Sequence, residues 1–275
     1  MYDFHYLRPA TIEEASRVLA TEPDAKPMSG GMSLLPAMKQ RLSRWSAIVD
    51  LGGVPGLDEI RMEHGALVIG ARARHVSVLS SSVVRAAIPA LAELAEGIGD
   101  PLVRNRGTLG GSVANADPAA DYPAALLGLG ATVVTNHREI AADDFFTGLF
   151  ETALEVGEII TAVRFSVPKR AAYAKYRHPA SRYAVVGAFV AETSEGVRVA
   201  VTGAASHVFR VPAFEAALSK SLSLEALVGV TPAYGDLNAD LFASSEYRAH
   251  VIGEMVRRAV QACLHPSTPS RNASA

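Results

Sequence analysis

Apolar positions recur along this chain at two periods, one helical and one alternating, and their order predicts a mixed α and β protein built in several pieces. A short strand is expected over Tyr2 to Tyr6. Thr11 and Glu14 then fit a Ser/Thr-x-x-Glu cap, and Ile12, Ala15, Val18 and Leu19 follow at helical spacing. A second helix is predicted from Leu34 to Arg41, with Pro36 in its first turn, and Ala47 to Leu51 reads as a strand. Two strand-like runs, Glu59 to Met62 and Ala66 to Gly70, flank a turn at His64-Gly65. Helical spacing runs from Val76 to Gly97, and Asp117-Pro118 resembles an N-cap with proline at the first position of a helix reaching about Leu127. A hairpin is expected from Ala131 to Thr135 and Arg138 to Ala141, and a strand from Glu158 to Val167.

Beyond Pro168 the pattern changes to three β-rich runs, Tyr173 to Arg177, Tyr183 to Glu192 and Val197 to Ala204, which suit a small antiparallel sheet. Helices are predicted at Ala213 to Ser219, Leu224 to Val228 and Ser245 to Leu264, the last with Tyr247, Val251, Met255 and Ala259 in one stripe. The Ser/Pro/Asn-rich tail after Pro266 is expected to be disordered. These shifts divide the chain into residues 1–52, 53–168 and 169–275.

A length of 275 residues suffices for two or three lobes, and 49% hydrophobic with 20% charged residues is a globular balance. A net charge of -2 argues against a general nucleic-acid binder. Only Cys263 is present, so the chain cannot build an internal disulfide or a cysteine-ligated cluster, and the residue reads as a buried structural thiol in a reducing cytoplasm. No signal-peptide pattern opens the sequence, and no apolar run reaches the ~18 residues of a membrane span.

Two glycine-rich turns carry the candidate chemistry. The first lies in KPMSGGMSLLPAMKQRL (26–42) and the second in GDPLVRNRGTLGGSVANADPAADYPAA (99–125). Glycines at Gly107, Gly110 and Gly111 permit positive φ and close approach to a ligand, so several amides can face one anion beside a helix start. Neither turn has the spacing of a dinucleotide fingerprint or of a P-loop. Each alone is more often structural; the pair together suits a diphosphate clamped from two sides. The eight histidines lack metal-ligand spacing, and no nucleophile elbow is present.

On these residues the chain resembles the FAD-binding medium subunit of molybdenum hydroxylases, in particular the carbon monoxide dehydrogenase medium-chain group of the xanthine dehydrogenase family. The likeness covers nearly the whole chain. It implies an α+β, FAD-binding PCMH-type fold like that of vanillyl-alcohol oxidase, with two subdomains holding FAD noncovalently and a C-terminal α+β domain of the carbon monoxide dehydrogenase flavoprotein type. By this resemblance Ser29, Gly30, Gly31, Met32, Ser33 and Leu34 match the first FAD motif, and Thr108, Leu109, Gly110, Gly111 and Ser112 the second. The family often has Asn where Ser112 stands, which costs a side-chain contact and leaves backbone donation. Asp121 aligns with an acidic position near the ribityl chain or pyrimidine edge, although a place in a first helical turn would alone favour a carboxylate there. Capping is the preferred explanation of Asp117. Ile98 and Gly99 match positions on the adenine side, Ile160 an apolar position and Lys175 a basic one near the cofactor, while Tyr183 matches the segment approaching the isoalloxazine.

The resemblance implies a role without catalytic residues in this chain: electrons arrive from a two-cluster [2Fe-2S] small subunit, pass through FAD and leave to an acceptor. Substrate would be oxidised at a molybdopterin-binding large subunit, in a dimer of heterotrimers. Two alternatives remain at this point, a self-sufficient flavin oxidoreductase of the same fold, like the UDP-N-acetylenolpyruvylglucosamine reductases, and a non-catalytic assembly module.

Overall fold

Three sheets organise the chain in the computed structural model, which describes residues 1–233 and 236–265. The expected disordered tail lies outside the described residues. The first sheet follows the order β1 (His5–Leu7), α1 (Ile12–Thr21), β2 (Ala25–Met28), α2 (Leu34–Lys39), β3 (Ala47–Asp50), with β3 central and both neighbours parallel to it. Thr11 caps α1 by accepting the Glu14 amide, while the Glu14 carboxylate takes the Ala10 amide, one residue before the expected partner. Helix α2 stops two residues before the expected Arg41, because Arg41 turns left-handed at φ 60° and the Leu42 amide closes back on the Ala37 carbonyl.

The second sheet is antiparallel, in the order β4 (Ile60–Glu63), β5 (Ala66–Gly70), β10 (Ile160–Ser166), β6 (Thr132–Thr135), β7 (Glu139–Ala141). Between β5 and β6 the chain runs through six short helices: α3 (His75–Ser80), α4 (Ser82–Ala87), α5 (Pro89–Glu96), α6 (Pro101–Arg106), α7 (Leu109–Asn115) and α8 (Tyr122–Gly128). The expected helical stretch from Val76 to Gly97 is thus three helices, broken at extended Ser81 and again before Pro89, which lacks the amide to continue a helix. After α8 come β6 (Thr132–Thr135), β7 (Glu139–Ala141), α9 (Ala142–Phe145), the β8 (Phe146–Gly148) and β9 (Glu151–Thr152) hairpin, and β10 (Ile160–Ser166).

The third sheet is an antiparallel meander of β11 (Arg170–Arg177), β12 (Ala184–Thr193), β13 (Gly196–Thr202) and β14 (Phe209–Arg210), followed by α10 (Pro212–Lys220) and α11 (Ser245–Leu264). Leu224 to Val228, expected as a helix, holds one 3-10 turn at Glu225–Leu227. Helix α11 packs on β11 and β12 through Val251, Ile252, Met255, Val256, Ala259, Val260 and Cys263, whereas Tyr247 at the head of the expected stripe is exposed. Burial pushes the Cys263 thiol up to about 12, so it stays protonated, as a structural thiol should. Arg248 on the same helix is buried and donates to the carbonyls of Val185 at 2.7 Å and Gly203 at 2.9 Å.

One buried carboxylate fastens the second sheet. Glu158 is fully covered and accepts from Thr135 Oγ1 at 2.8 Å, the Glu155 amide at 2.8 Å and Arg138 Nε at 3.0 Å. The Arg138 hydrogen bond, aided by the Glu155 amide and Thr135 against the cost of burial, holds its carboxyl down at about 2. A depressed carboxylate stabilises above its unfolded value of 4.5 and loses that contribution as pH falls through about 2. Acid titration of stability should therefore steepen over this window in the wild-type chain and flatten there in Glu158→Gln, as followed by thermal melts at a series of pH values.

Candidate functional site

The two glycine-rich turns meet. Thr108 Oγ1 lies 3.1 Å from Ser29 Oγ, joining residues 79 positions apart. Thr108 is the N-cap of α7, with Gly111 donating its amide to the same hydroxyl at 3.2 Å. A Cβ on Gly30 would stand 2.1 Å from the Arg106 carbonyl oxygen and 2.9 Å from Gly107 Cα, so only glycine lets the turns touch backbone to backbone.

The reason for the glycines differs from the sequence expectation. Gly107 has φ -58°, and Gly110 and Gly111 are helical; among the motif glycines near these turns, Gly31 has φ 73° and Gly99 φ 50°. Close packing is what the second turn requires. A Cβ on Gly107 would lie 2.5 Å from His75 Nε2, and one on Gly110 2.5 Å from Ala71 Cβ. The amides of the second turn are also engaged: Leu109 donates to Ala73, Gly110 to Ala71 and Ser112 to Thr108. The amides of Gly31, Met32 and Ser33 instead have no hydrogen-bond partner among the described residues, and Ser33, at the N-cap of α2, makes no side-chain capping bond. Met32 and Ser33 are exposed and Leu34 is half-buried. The Thr108 amide of the second turn likewise has no hydrogen-bond partner among the described residues, so the free backbone donors lie mainly in the first turn, with one contributed by the second.

A second cluster forms where β11 passes the N-cap of α8. Asp121 stands at the N-cap of α8, but its carboxylate makes no capping bond. It accepts instead from Tyr173 Oη at 2.5 Å and Lys175 Nζ at 3.0 Å. Lys175 also donates to the carbonyls of Gly97 at 3.0 Å and Arg182 at 3.2 Å, which uses all three of its N–H groups. Arg104 holds the carbonyls of Ile98 and Gly99, and Arg182 reaches the Gly99 carbonyl at 3.3 Å. Ile98, Gly99, Asp121 and Lys175 are thus tied together, and Tyr183 stands at the end of the same 178–183 loop, exposed, with its carbonyl accepting the His178 amide. Burial raises the Asp121 carboxyl above its ordinary value, opposed by Lys175 and Tyr173. Ile160 is not part of either cluster; it is buried in the core and pairs with Thr135 across the sheet.

Asp117 does not cap a long helix as expected. It accepts the Ala119 amide in a turn, and the carbonyls of Pro118, Ala119 and Ala120 are taken by Gly203, Ala184 and Thr202 of the third sheet, so α8 starts only at Tyr122. Sequence reasoning missed Tyr173, His75 and Arg182. Tyr173 sits two residues before Lys175 on a strand, hence on the same face, and that spacing was a usable signal. His75 is buried behind Gly107, and burial together with Arg104 lowers its imidazole to about 4, keeping it neutral; nothing local in the sequence distinguishes it.

A glycine-rich cradle, unpaired amides at Gly31, Met32 and Ser33, and a buried carboxylate with spare acceptor capacity fit a dinucleotide that carries a diphosphate and hydroxyl or imide donors. The comparisons agree. Residues 2–169 match the model of the FAD binding domain in molybdopterin dehydrogenase. The nicotine 6-hydroxylase medium subunit of Paenarthrobacter nicotinovorans is 36% identical, over 93% of this chain and 95% of its own. The carbon monoxide dehydrogenase medium chain of Hydrogenophaga pseudoflava is 34% identical over 94% and 96%. Among solved structures, reconstituted CO dehydrogenase from Oligotropha carboxidovorans superposes with a TM-score of 0.88 at 32% identity, covering 97% of this chain and 99% of that one. Quinoline 2-oxidoreductase from Pseudomonas putida 86 gives 0.85 at 29% identity, over 95% and 97%. With a family match over residues 2–169, near-complete alignment to medium chains and the FAD-binding PCMH-type fold, this chain belongs to the family of FAD-binding medium subunits of molybdopterin-dependent oxidoreductases.

Proposed function

We propose that this chain is the flavin relay of a molybdenum hydroxylase complex. It accepts electrons from the [2Fe-2S] clusters of a small partner subunit and delivers them to an external acceptor, while a molybdopterin-binding large subunit oxidises the substrate. The observation that carries the reading is the 3.1 Å contact between Ser29 and Thr108, which makes one cradle of two turns distant in sequence. FAD, when bound, supplies reversible one- and two-electron transfer; the protein's part is to bind, orient and tune it.

In this reading the amides of Gly31, Met32 and Ser33 and the hydroxyls of Ser29, Ser33 and Thr108 hold the diphosphate. Gly30, Gly110 and Gly111 provide space, and Leu34 and Ser112 flank it. Ile98 and Gly99 border the adenine side, Asp121 accepts from the ribityl or imide donors, and Tyr183 covers the ring system. Lys175 acts at one remove, because its donors are committed to Asp121, Gly97 and Arg182. Ile160 contributes to the core beneath rather than to a polar contact. Residues 1–52 and 53–168 form the two cofactor-binding subdomains and 169–275 the flavoprotein domain, working in the cytoplasm within a dimer of heterotrimers. No described helix is long and apolar enough to cross a membrane.

The test is to purify the chain alone and together with its large and small partners. FAD should be bound in stoichiometric amount and be released intact on denaturation. Substrate should bleach the flavin band only in the reconstituted complex. A fully assembled complex lacking flavin would overturn the assignment.

A further inference from the structure

Tyr173 has no part in the roles above, yet the fold is shaped around its hydroxyl. The phenol stacks obliquely on Phe189 of β12, ring centres 6.2 Å apart, and its oxygen reaches Asp121 Oδ1 at 2.5 Å. Two residues before Phe189, β12 carries Gly187, paired with Lys175, where a Cβ would stand 2.3 Å from Tyr173 Oη. A glycine in the interior of a fully buried strand costs stability, so this one is explained by the hydroxyl it admits. Two donors, Tyr173 and Lys175, thus converge on a carboxylate that is 5% exposed and that caps nothing. An ionised carboxylate has about four acceptor positions, of which these take two. Lys175 Nζ lies 3.0 Å from both oxygens, and no further donor to the carboxylate is found among the described residues, so acceptor capacity is left over.

We propose that Tyr173 is a positioning residue for the cofactor: its hydroxyl holds Asp121 ionised and aimed, so that the carboxylate can accept from the hydroxyl or imide N–H groups of FAD. This rests on the placement of Asp121 beside the cofactor proposed above. Burial works against the charge on Asp121, and Lys175, Tyr173 and, more weakly, Arg177 work for it. Burial and the neighbouring Asp121 push the Tyr173 phenol well above its usual range, so it remains a donor throughout. The other titratable groups that feel Asp121 are Tyr122 at the start of α8 and Tyr183 on the adjoining loop, and Tyr183 also feels Asp117. Both tyrosines are pushed upward and stay neutral. Loss of the Tyr173 donor therefore moves the Asp121 carboxyl further up.

The test is FAD titration of the flavin-free, full-length chain at about pH 8 and about pH 6, with folding checked by circular dichroism. Wild-type affinity should be nearly equal at the two values. Tyr173→Phe should bind about tenfold more weakly at the higher pH, from the lost charge-assisted hydrogen bond, and weaken by about a further tenfold at the lower. Gly187→Ala, which pushes the hydroxyl away without removing the ring, should reproduce the pH dependence. Asp121→Asn should bind weakly and equally at both values, with no added loss on combining it with Tyr173→Phe. An identical factor at both pH values for Tyr173→Phe and Gly187→Ala, or a full additional loss in the Asp121→Asn background, would overturn the assignment of Tyr173. A wild-type chain that takes no FAD at either pH would instead overturn the reading of the cofactor site.

Discussion

A chain carrying Gly30→Ala is expected to lose FAD affinity by about a hundredfold and to lose about 1–3 kcal/mol of stability through overpacking. The added methyl would meet the Arg106 carbonyl oxygen at 2.1 Å, its carbon at 2.8 Å and Gly107 Cα at 2.9 Å. All three are backbone atoms, so no rotamer change relieves the clash, and the turns must separate. Separation breaks the Ser29 to Thr108 contact and swings the amides of Gly31, Met32 and Ser33 out of register with the back wall. Fluorescence titration with FAD and a thermal melt of the flavin-free chain read the two effects separately. Gly253→Ala in helix α11 is the control, since nothing lies within 4 Å of the new methyl. There alanine should be neutral, or stabilise by up to about 1 kcal/mol through its better helix propensity. Unaltered FAD affinity in Gly30→Ala would show that the contact between the turns is incidental to binding.

The largest stability effect is expected at Lys175. Replacing it with methionine leaves Asp121 buried without its cationic partner and frees the Gly97 and Arg182 carbonyls; breaking a buried pair in this way costs about 3–5 kcal/mol. The sign of the pH dependence follows from the Asp121 carboxyl, which burial raises from 3.8 and Lys175 pulls back. Without Lys175 it rises further. A carboxyl with a raised folded value destabilises at high pH, and the penalty disappears as pH falls through the folded value toward 3.8. Lys175→Met should therefore recover stability on acidification, opposite in sign to the behaviour ascribed to Glu158. Asp121→Asn introduced into Lys175→Met removes the stranded charge and should restore at least half of the loss, which a double-mutant cycle in denaturant would measure. If the second substitution restored nothing, the cost would belong to the carbonyls of Gly97 and Arg182 and to the packing of the lysine stem.

The glycines of the second turn and Asp121 illustrate how a sequence signal can be read correctly for the wrong reason. Glycines at 107, 110 and 111 do mark a site of close approach, yet none of the three uses the backbone freedom for which glycine is usually credited. They are small because His75, Ala71 and the hydroxyl of Thr108 occupy the space a side chain would need. Asp121 was legible as a carboxylate at a helix start, but its two oxygens turn away from the helix to strand β11. Asp117, by contrast, looked like a cap and is a turn, because Thr202, Gly203 and Ala184 compete for the carbonyls that a helix there would need.

What the sequence determined by itself was local: the Thr11 cap, the proline-marked start of α5, the β-rich runs of the third sheet, and the presence of two small-residue turns. These depend on dihedral preferences and side-chain periods that operate within a few residues, so any window along the chain carries them. The tertiary structure alone decided that Ser29 and Thr108 would touch, that most of the free amides would belong to the first turn, and that Tyr173 and Lys175 would donate to Asp121. Each of these depends on how separate sheets and helices pack, and so on distances between segments that are about fifty to eighty residues apart. Close packing assigns those distances jointly, and no local stretch of the chain contains them.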